Sequence, residues 1–294
     1  MDVFIFQMGK VGSSAITRAL CQRGVNAIQT HWLGKETLIG SLENSLLNVE
    51  LEDDVAFRGA QEWMQNLHNT RKLLWYQKHH VRDGEKLRVV TLARDPLNWY
   101  WGHLAENFDL YGPCIQDWYL RVYGRDPGNM QQAAEVFHHA LFENMGSINL
   151  ALDDGGFAEA AVTSSYRGVT VHFLAEQMMK LRLPTVWFDV FFEPALGIDI
   201  YQAPLTGGTA CFENEYAKVL LIRYEDLQQS LVELQSFLRL DELALEVTNP
   251  TTEKDLPFDI ADFAREFKPD PRALSKLYDT PYCRQFGYHR ELFP

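Results

Sequence analysis

Cysteine pairs, positive charge and long apolar runs are all scarce in this chain of 294 residues, and each absence excludes a class of protein. The four cysteines lie far apart and form no CxxC pair, so we expect no structural zinc site and no disulfide framework. Lys and Arg number 27 against 40 Asp and Glu, which gives a formal net charge of −13. This charge opposes binding to nucleic acid or to an anionic membrane surface, because both attract dense positive charge. A small phosphorylated ligand is compatible with it, since such a ligand needs only a few local cations and backbone amides.

No apolar stretch of the sequence is long enough to span a bilayer, and the four-residue apolar run at residues 3–6 is too short for a signal peptide. We therefore expect a cytoplasmic protein without integral membrane contact. The composition, with 46% hydrophobic and 23% charged residues, is that of a globular protein. Because no linker stands out, we predict a single domain over residues 1–294.

The order of apolar and turn-forming segments predicts alternating strands and helices. Asp95-Pro96 is the signal for a helix start, and residues from about 111 to 180 have a mostly helical pattern. Strands that alternate with helices imply parallel pairing. The predicted fold is therefore α/β, with three layers in which helices flank a central parallel sheet, and with a helical insertion at about 111–180. The predicted strands are residues 3–6, 25–28, 73–76, 88–93, 184–190 and 217–222.

A loop with two glycines, residues 7–14, joins the first predicted strand to the first predicted helix. Glycines let the backbone approach phosphate oxygens closely, and free amides at a helix N-terminus point towards a bound anion. Lys10 adds a mobile cation. The loop is not a Walker A sequence, because Lys10 precedes Gly12, and it is not a GxGxxG sequence either. It predicts a phosphate site of another kind, with a plain strand-to-helix turn as the alternative.

Five segments carry a resemblance to a known family. The order Lys-x-Gly-Ser-Ser at residues 10–14 resembles the phosphosulfate-binding loop of sulfotransferases that use 3′-phosphoadenosine 5′-phosphosulfate (PAPS). In their order along the chain, the segments are similar to the sulfotransferase-like family of capsular polysaccharide synthesis. The resemblance implies a P-loop-like variant of the α/β fold, with PAPS as sulfuryl donor and no metal. The other four segments are residues 89–108, 187–201, 222–227 and 277–286.

The resemblance also implies a cofactor site made of the loop and of later positions. Arg94 corresponds to the arginine that binds the 3′-phosphate, and Tyr224 to a residue near the adenine. The family places a serine eight residues after that arginine, where this chain has Gly102. We expect the neighbouring His103, or a backbone amide, to replace the serine hydroxyl. Lys10 is expected to act in catalysis, by neutralising charge on the leaving oxygen. The loop residues implied in binding are Gly9, Lys10, Val11, Gly12, Ser13 and Ser14.

Transfer to a hydroxyl group needs a general base within hydrogen-bond reach of that hydroxyl. His31, directly after the second predicted strand, is the first candidate, because imidazole with an unperturbed pKa near 6.5 suits proton transfer near neutral pH. His80 is the second candidate, together with its neighbour His79, because this segment is similar to the one that carries the base in cytosolic sulfotransferases. A carboxylate such as Asp189 or Glu193 is the third.

For two further groups of residues, one of aromatic and one of histidine side chains, we favour a structural role over a functional one. Trp99, Tyr100 and Trp101 are predicted to lie in the core, with stacking on a sugar or on adenine as the alternative. His138 and His139 lie in a predicted helix without metal-ligand company, and we interpret them as structural.

Three functions are compatible with these observations. The first is a PAPS-dependent sulfotransferase acting on a hydroxyl of a small-molecule or carbohydrate acceptor, a glycolipid included. The second is a non-catalytic sulfotransferase-like protein of polysaccharide assembly that has lost its affinity for the cofactor. Glycine at position 102, in place of the family's serine, would be the sign of that loss. The third is a P-loop kinase or nucleoside triphosphatase, which needs a Walker lysine that the loop lacks.

Overall fold

The computed structural model describes residues 2–35, 38–39, 53–83, 86–147, 169–246 and 256–289. The chain forms two compact units. The first consists of Met1–Arg94 with Trp187–Thr248, and the second of Asp95–Val186 with Asn249–Pro294. The chain therefore passes from one unit to the other three times, and neither unit is a continuous stretch of sequence.

The first unit holds a five-stranded sheet and the helices next to it. Its strands are β1 (Asp2–Phe6), β2 (Asn26–Thr30), β3 (Leu87–Ala93), β4 (Thr209–Glu213) and β5 (Ala217–Arg223). Its helices are α1 (Ser13–Gln22), α2 (Asp53–Asp83), α7 (Glu193–Leu196) and α8 (Leu231–Leu238), with a π-helical turn at Phe188–Phe192 and 3₁₀ turns at Ile200–Gln202 and Tyr224–Asp226.

The sheet has the order β2-β1-β3-β5-β4, in which only the edge strand β4 is antiparallel to its neighbour. The central strands are almost wholly apolar and buried on both faces, which is the pattern of a parallel sheet covered by helices. Helix α1 contacts β2, and α2 contacts β2 and β3. The α/β class and the mainly parallel central sheet with flanking helices are thus confirmed.

The second unit is helical in its described part. The side chain of Asp95 accepts a hydrogen bond from the backbone N–H of Asn98, and Pro96 is the first residue of α3, as the sequence predicted. The helices are α3 (Pro96–Glu106), α4 (Phe108–Tyr123), α5 (Met130–Ser147), α6 (Val169–Trp187), α9 (Ile260–Glu266), α10 (Pro271–Tyr278) and α11 (Pro281–Phe286), and the last residue of α6 belongs to the first unit.

Two predicted strands are wrong. Residues 73–76 lie inside α2, where the buried positions recur at helical spacing and include polar side chains that hide the pattern from a hydrophobicity count. Residues 184–190 form the end of α6 and the π-helical turn, and a run this rich in aromatic residues is compatible with either a buried strand or a buried helix. The buried polar residues of α2 are Asn66, Asn69 and Thr70.

The sequence analysis also missed β4, a short edge strand that follows a turn with Gly207 and Gly208. It pairs antiparallel with β5, with Thr209 opposite Ile222. Its composition, Thr-Ala-Cys-Phe-Glu, carries little apolar signal, because four of its five residues are polar or small.

Candidate functional site

The strand order creates a crevice at the carboxyl ends of β1 and β3. The connection from β1 leads to β2 on one side of it, whereas β3 lies on the other side and is followed in the sheet by β5. In open α/β sheets, ligands bind where the order reverses in this way. The loop 7–14 follows β1 and Arg94 follows β3, so the two predicted parts of the site come to the same edge of the sheet.

Three backbone positions of the loop have left-handed conformations. The φ angles are +85° at Gly9, +54° at Lys10 and +77° at Gly12. Glycine takes this conformation at little cost, but a lysine does so only when the surrounding structure holds it there. Gly12 is also the N-cap of α1 and has no side chain with which to cap this first turn. The loop thus ends at a helix N-terminus, where amide groups favour an anion.

A buried glutamine holds the loop in place. The side-chain amide Nε2 of Gln7 donates to Oγ of Ser13 over 2.8 Å, and its Oε1 accepts a hydrogen bond from the backbone N–H of Gly9. Gln7 is fully buried and Ser13 almost so, whereas Ser14 is exposed. Of the two predicted serines, Ser14 is therefore accessible to a ligand from solvent, and Ser13 is engaged inside the loop.

His31 lies against the loop, next to Gly9. Its Nδ1 is 2.9 Å from the carbonyl oxygen of Gln7 and 3.1 Å from the side-chain Nε2 of Gln7. A Cβ placed at Gly9 would lie 3.7 Å from Cε1 of the imidazole. Because a carbonyl oxygen only accepts hydrogen bonds, the shorter contact favours the tautomer with the proton on Nδ1 and the lone pair on Nε2; the amide nitrogen of Gln7, itself a donor, is then in contact with Nδ1 without a hydrogen bond.

Arg94 joins the end of β3 to the loop. Its NH1 donates to the carbonyl oxygen of Lys10 over 2.6 Å. Its guanidinium carbon also lies 4.6 Å from the ring centroid of Tyr224, which is a cation–π distance. Tyr224 in turn lies against Gly12, because a Cβ at Gly12 would be 2.9 Å from Cε2 of that ring. Lys10, Gly12, Arg94 and Tyr224, which the sequence analysis assigned to one site, are thus adjacent in the first unit.

Gly102 and His103 belong to the second unit, in α3. Nε2 of His103 is 3.0 Å from the hydroxyl of Tyr111, and its Nδ1 is 3.4 Å from Nδ2 of Asn107. Burial raises the pKa of Tyr111 to about 12, so this hydroxyl keeps its proton at neutral pH. The His103 ring also stacks on Trp99. Both ring nitrogens of His103 therefore have partners within their own unit.

The other base candidates lie on other elements of the first unit. His79 is in α2 with its ring 5.5 Å from Trp75, and the side chain of His80 lies outside the described part. Asp189 and Glu193 are exposed, on the π-helical turn and on α7. Among the base candidates, His31 is joined to loop 7–14 through the carbonyl oxygen of Gln7.

The aromatic residues after Arg94 lie in the core. Trp99 is 2% exposed, Tyr100 is fully buried and Trp101 is 7% exposed, so the core interpretation is confirmed and stacking on a sugar is not available to them.

Gln7 is the residue of this site that sequence reasoning missed. In the sequence, Gln7 is one polar residue of a loop. The signal that points to it is its position directly after a buried strand, where a buried polar side chain needs hydrogen-bond partners.

No family model, curated protein or solved structure matches this chain. Fold and site define it as an α/β protein with a strand–loop–helix crevice. Within the described residues, no three His, Cys, Asp or Glu side chains are grouped to hold a metal ion. The described helices include none with the length and apolar character needed to cross a membrane.

Proposed function

We propose that the loop 7–14 binds the phosphosulfate group of PAPS and that the protein transfers the sulfuryl group to a hydroxyl of a small-molecule or carbohydrate acceptor. The observation that carries this proposal is the contact of Arg94 with the backbone of Lys10 at the sheet crevice. It brings two cationic side chains of sequentially distant segments to one loop, in a chain whose net charge is −13. An anion is the ligand that such a local reversal of charge favours.

The residues of the first unit fit the anionic groups of PAPS. Gly9 and Gly12 have no side chain to obstruct an anion, and the amides at the start of α1 and the exposed Ser14 are available to bind it. Arg94 is suited to bind the 3′-phosphate, since a guanidinium group can form bidentate hydrogen bonds to phosphate. PAPS supplies an activated sulfuryl group, and Lys10 stabilises the electron pair that the bridging oxygen keeps when its bond to sulfur breaks.

His31 is the general base in this proposal. Its Nδ1–H is held by the carbonyl of Gln7, so the lone pair of Nε2 accepts the proton of the acceptor hydroxyl while the hydroxyl oxygen bonds to sulfur. A base fixed in one tautomer by a backbone carbonyl loses no rotational freedom in the transition state. The alternative bases are His80 with its neighbour His79, and the carboxylates of Asp189 and Glu193. Replacing each of these residues, and His31, by a neutral residue and measuring turnover tests which one is the base.

A non-catalytic sulfotransferase-like protein of polysaccharide assembly, with lost cofactor affinity, is the second candidate, and a specific observation favours it. Gly102 offers no hydroxyl, and the ring nitrogens of His103 already lie near Tyr111 and Asn107. If the 3′-phosphate has no second partner besides Arg94, nucleotide affinity falls, and turnover falls with it.

A thermal-shift titration distinguishes these functions. We expect 3′-phosphoadenosine 5′-phosphate to stabilise the protein and Mg-ATP to leave it unchanged, and a ligand at about 100 times its Kd adds roughly 2.7 kcal/mol. Stabilisation by Mg-ATP alone would support a nucleoside triphosphatase. Stabilisation by neither nucleotide contradicts the proposal.

Arg94→Ala tests the 3′-phosphate assignment within the same assay. It should weaken 3′-phosphoadenosine 5′-phosphate by tenfold or more, since a hydrogen bond to a charged group contributes about 1.5–3 kcal/mol, and leave adenosine 5′-phosphosulfate little affected. Arg23→Ala, an exposed arginine of the same unit, is the matched control. Equal losses for both nucleotides would show that Arg94 supports the loop and does not read the 3′-phosphate.

A further inference from the structure

A second cavity lies at the opposite end of the sheet from the loop 7–14. It has a volume of about 910 Å³ and is lined by residues near the amino ends of the parallel strands, by β4 and by α8. Ligand pockets fall in the range of about 300–1,000 Å³. Lys10, Arg94 and His31 are absent from its lining, so it is separate from the candidate site.

The sheet side of the cavity presents a row of charges. Arg88 of β3 lies beside Lys218 of β5, and Lys218 lies opposite Glu213 of β4, so that three side chains on one face of the sheet follow each other across adjacent strands. Nζ of Lys86 is 2.6 Å from Oε1 of Glu213, and Nζ of Lys218 is 3.8 Å from Oε2. The hydrogen bond from Lys86 is the main reason that the pKa of Glu213 is lowered. One carboxylate is thus shared by two lysines.

Positive charge exceeds negative charge in the lining. The lining includes four cationic side chains, those of Lys86, Arg88, Lys218 and Arg239, against three carboxylates, those of Asp2, Glu213 and Glu233. Oδ2 of Asp2 is already 3.4 Å from Nζ of Lys72, which is not part of the lining. In a chain of net charge −13, this cavity is therefore a local positive region.

Arg239 lies at the C-terminal end of α8 in a left-handed backbone conformation. It is the C-cap of that helix with φ of +57°, and its backbone N–H donates to the carbonyl oxygens of Gln235 and Ser236. Its side chain is exposed, and no ion pair within 4 Å joins it to a carboxylate of the described residues. A non-glycine residue in this conformation is strained, and glycine would relieve the strain.

The α8 side of the cavity combines apolar side chains with the exposed polar residues Glu233 and Ser236, and Leu220 of β5 adds an apolar side chain beneath it. Leu220 and Leu238 are buried below it, Phe237 and Leu240 are half-buried, and Val232 is 70% exposed. A cationic rim above an apolar floor fits a ligand that has an anionic group attached to an apolar body.

We propose that this cavity is a second ligand site, for a small amphipathic monoanion, which is a carboxylate or sulfonate on an aromatic or hydrocarbon body. The anionic group lies near Arg239 and Lys218, and the apolar body lies between Leu220 and α8.

Two dyes with the same ring skeleton test it on the full chain. 8-Anilinonaphthalene-1-sulfonate carries the anion, and N-phenyl-1-naphthylamine is its neutral counterpart. We expect saturable, one-to-one fluorescence binding of the sulfonate, at least about tenfold tighter than that of the neutral dye, as for a hydrogen bond to a charged group. The absence of saturable binding, or equal binding of the two dyes, overturns the proposal.

Substitutions that alter the charge of the cavity without altering its walls locate the dye. Arg239→Gly removes the cation at a position whose conformation favours glycine, and we expect about a tenfold loss for the sulfonate and none for the neutral dye. Val232→Asp should weaken the sulfonate and Val232→Lys should strengthen it, since position 232 is exposed at the rim. Arg23→Gln, in the same unit but outside the lining, is the control. Sulfonate binding that ignores the charge at 232 and 239 overturns the assignment.

Discussion

At the scale of single residues, Gly12 meets two requirements at once. Its φ of +77° belongs to the left-handed region, where a Cβ costs roughly 1–2 kcal/mol. A Cβ there would also lie 2.9 Å from the ring of Tyr224, closer than carbon atoms approach in proteins. Because Tyr224 carries the guanidinium of Arg94 on its face, the missing side chain of Gly12 determines how close the loop comes to Arg94.

We predict that Gly12→Ala destabilises the protein by more than Gly24→Ala does. The two glycines have similar φ angles, +77° and +73°, but a Cβ at Gly24 has open space around it. The difference between the two variants therefore isolates the crowding against Tyr224, for which we expect about 1–3 kcal/mol. Urea denaturation of both variants measures it. Equal losses would show that Tyr224 moves aside without cost.

At the scale of elements, α5 is held in the second unit by a buried histidine among aromatic rings. Nδ1 of His138 is 2.6 Å from the carbonyl oxygen of Ala134, which only accepts, so Nδ1 carries the proton. Its Nε2 then accepts from the hydroxyl of Tyr100 over 3.1 Å. The imidazole lies 4.9 Å from the ring of Trp101 and 5.7 Å from that of Phe263. The neutral ring has a partner at each nitrogen, and complete burial disfavours its charged form.

This burial makes stability depend on pH. The pKa of His138 is lowered from 6.5 to about 4, mainly by desolvation; the hydrogen bond to the carbonyl of Ala134 raises it and charge repulsion from His139 lowers it, both by less. Between pH 6.5 and about 4, the unfolded chain binds a proton that the folded chain does not, so stability falls as the pH falls through this window. The full loss is roughly 3 kcal/mol.

We predict that His138→Gln flattens this pH dependence of the melting temperature between pH 4 and 6.5. His139→Gln, a substitution one position away whose imidazole is exposed, should keep most of the slope. A wild-type slope that survives in His138→Gln would mean that another group carries it.

At the scale of the whole molecule, the sequence predicted those strands of the sheet whose own composition indicates that they are buried. β1, β3 and β5 each contain a run of three or four mostly apolar residues, and such runs indicate burial on both faces directly. Helix α2 escaped prediction in part because Asn69 is fully buried, and a buried polar residue carries no apolar signal. β4 escaped because an edge strand is defined by its partner, which a sequence does not reveal.

The same distinction holds for the candidate site. The adjacency of the loop and Arg94 follows from a rule about the carboxyl ends of parallel strands, so it was predictable. The role of Gln7 was not, because a side-chain amide with partners on Gly9 and Ser13 depends on the three-dimensional course of the loop. The assignment of Gly102 and His103 to the helical unit was likewise outside what motif spacing conveys.

The discontinuity of the second unit has a consequence for the whole chain. The described C-terminal helices of this unit pack against its helices from residues 95–186. The ring of Phe263, for example, contacts the ring of Trp101 edge-on. The hydroxyl of Tyr278 donates to the carboxylate of Asp95, the N-cap of α3, over 2.9 Å. Nζ of Lys276 donates to two carbonyl oxygens near the end of α5.

We predict that a chain truncated after residue 248 loses the fixed packing of the second unit. Without the C-terminal helices, Trp101 and the ring of His138 lose their apolar cover, and each buried aromatic side chain exposed in this way costs about 1.5–3 kcal/mol. Near-ultraviolet circular dichroism, which reports the packing of the tryptophans, should fall strongly, while the helical far-ultraviolet signal falls less. A chain ending at residue 289 keeps α9, α10 and α11 and should match the full-length protein in both signals. If the chain ending at 248 keeps its near-ultraviolet spectrum and a cooperative melting transition, the second unit does not depend on its C-terminal segment, and the contacts of Phe263 and Tyr278 contribute little to its stability.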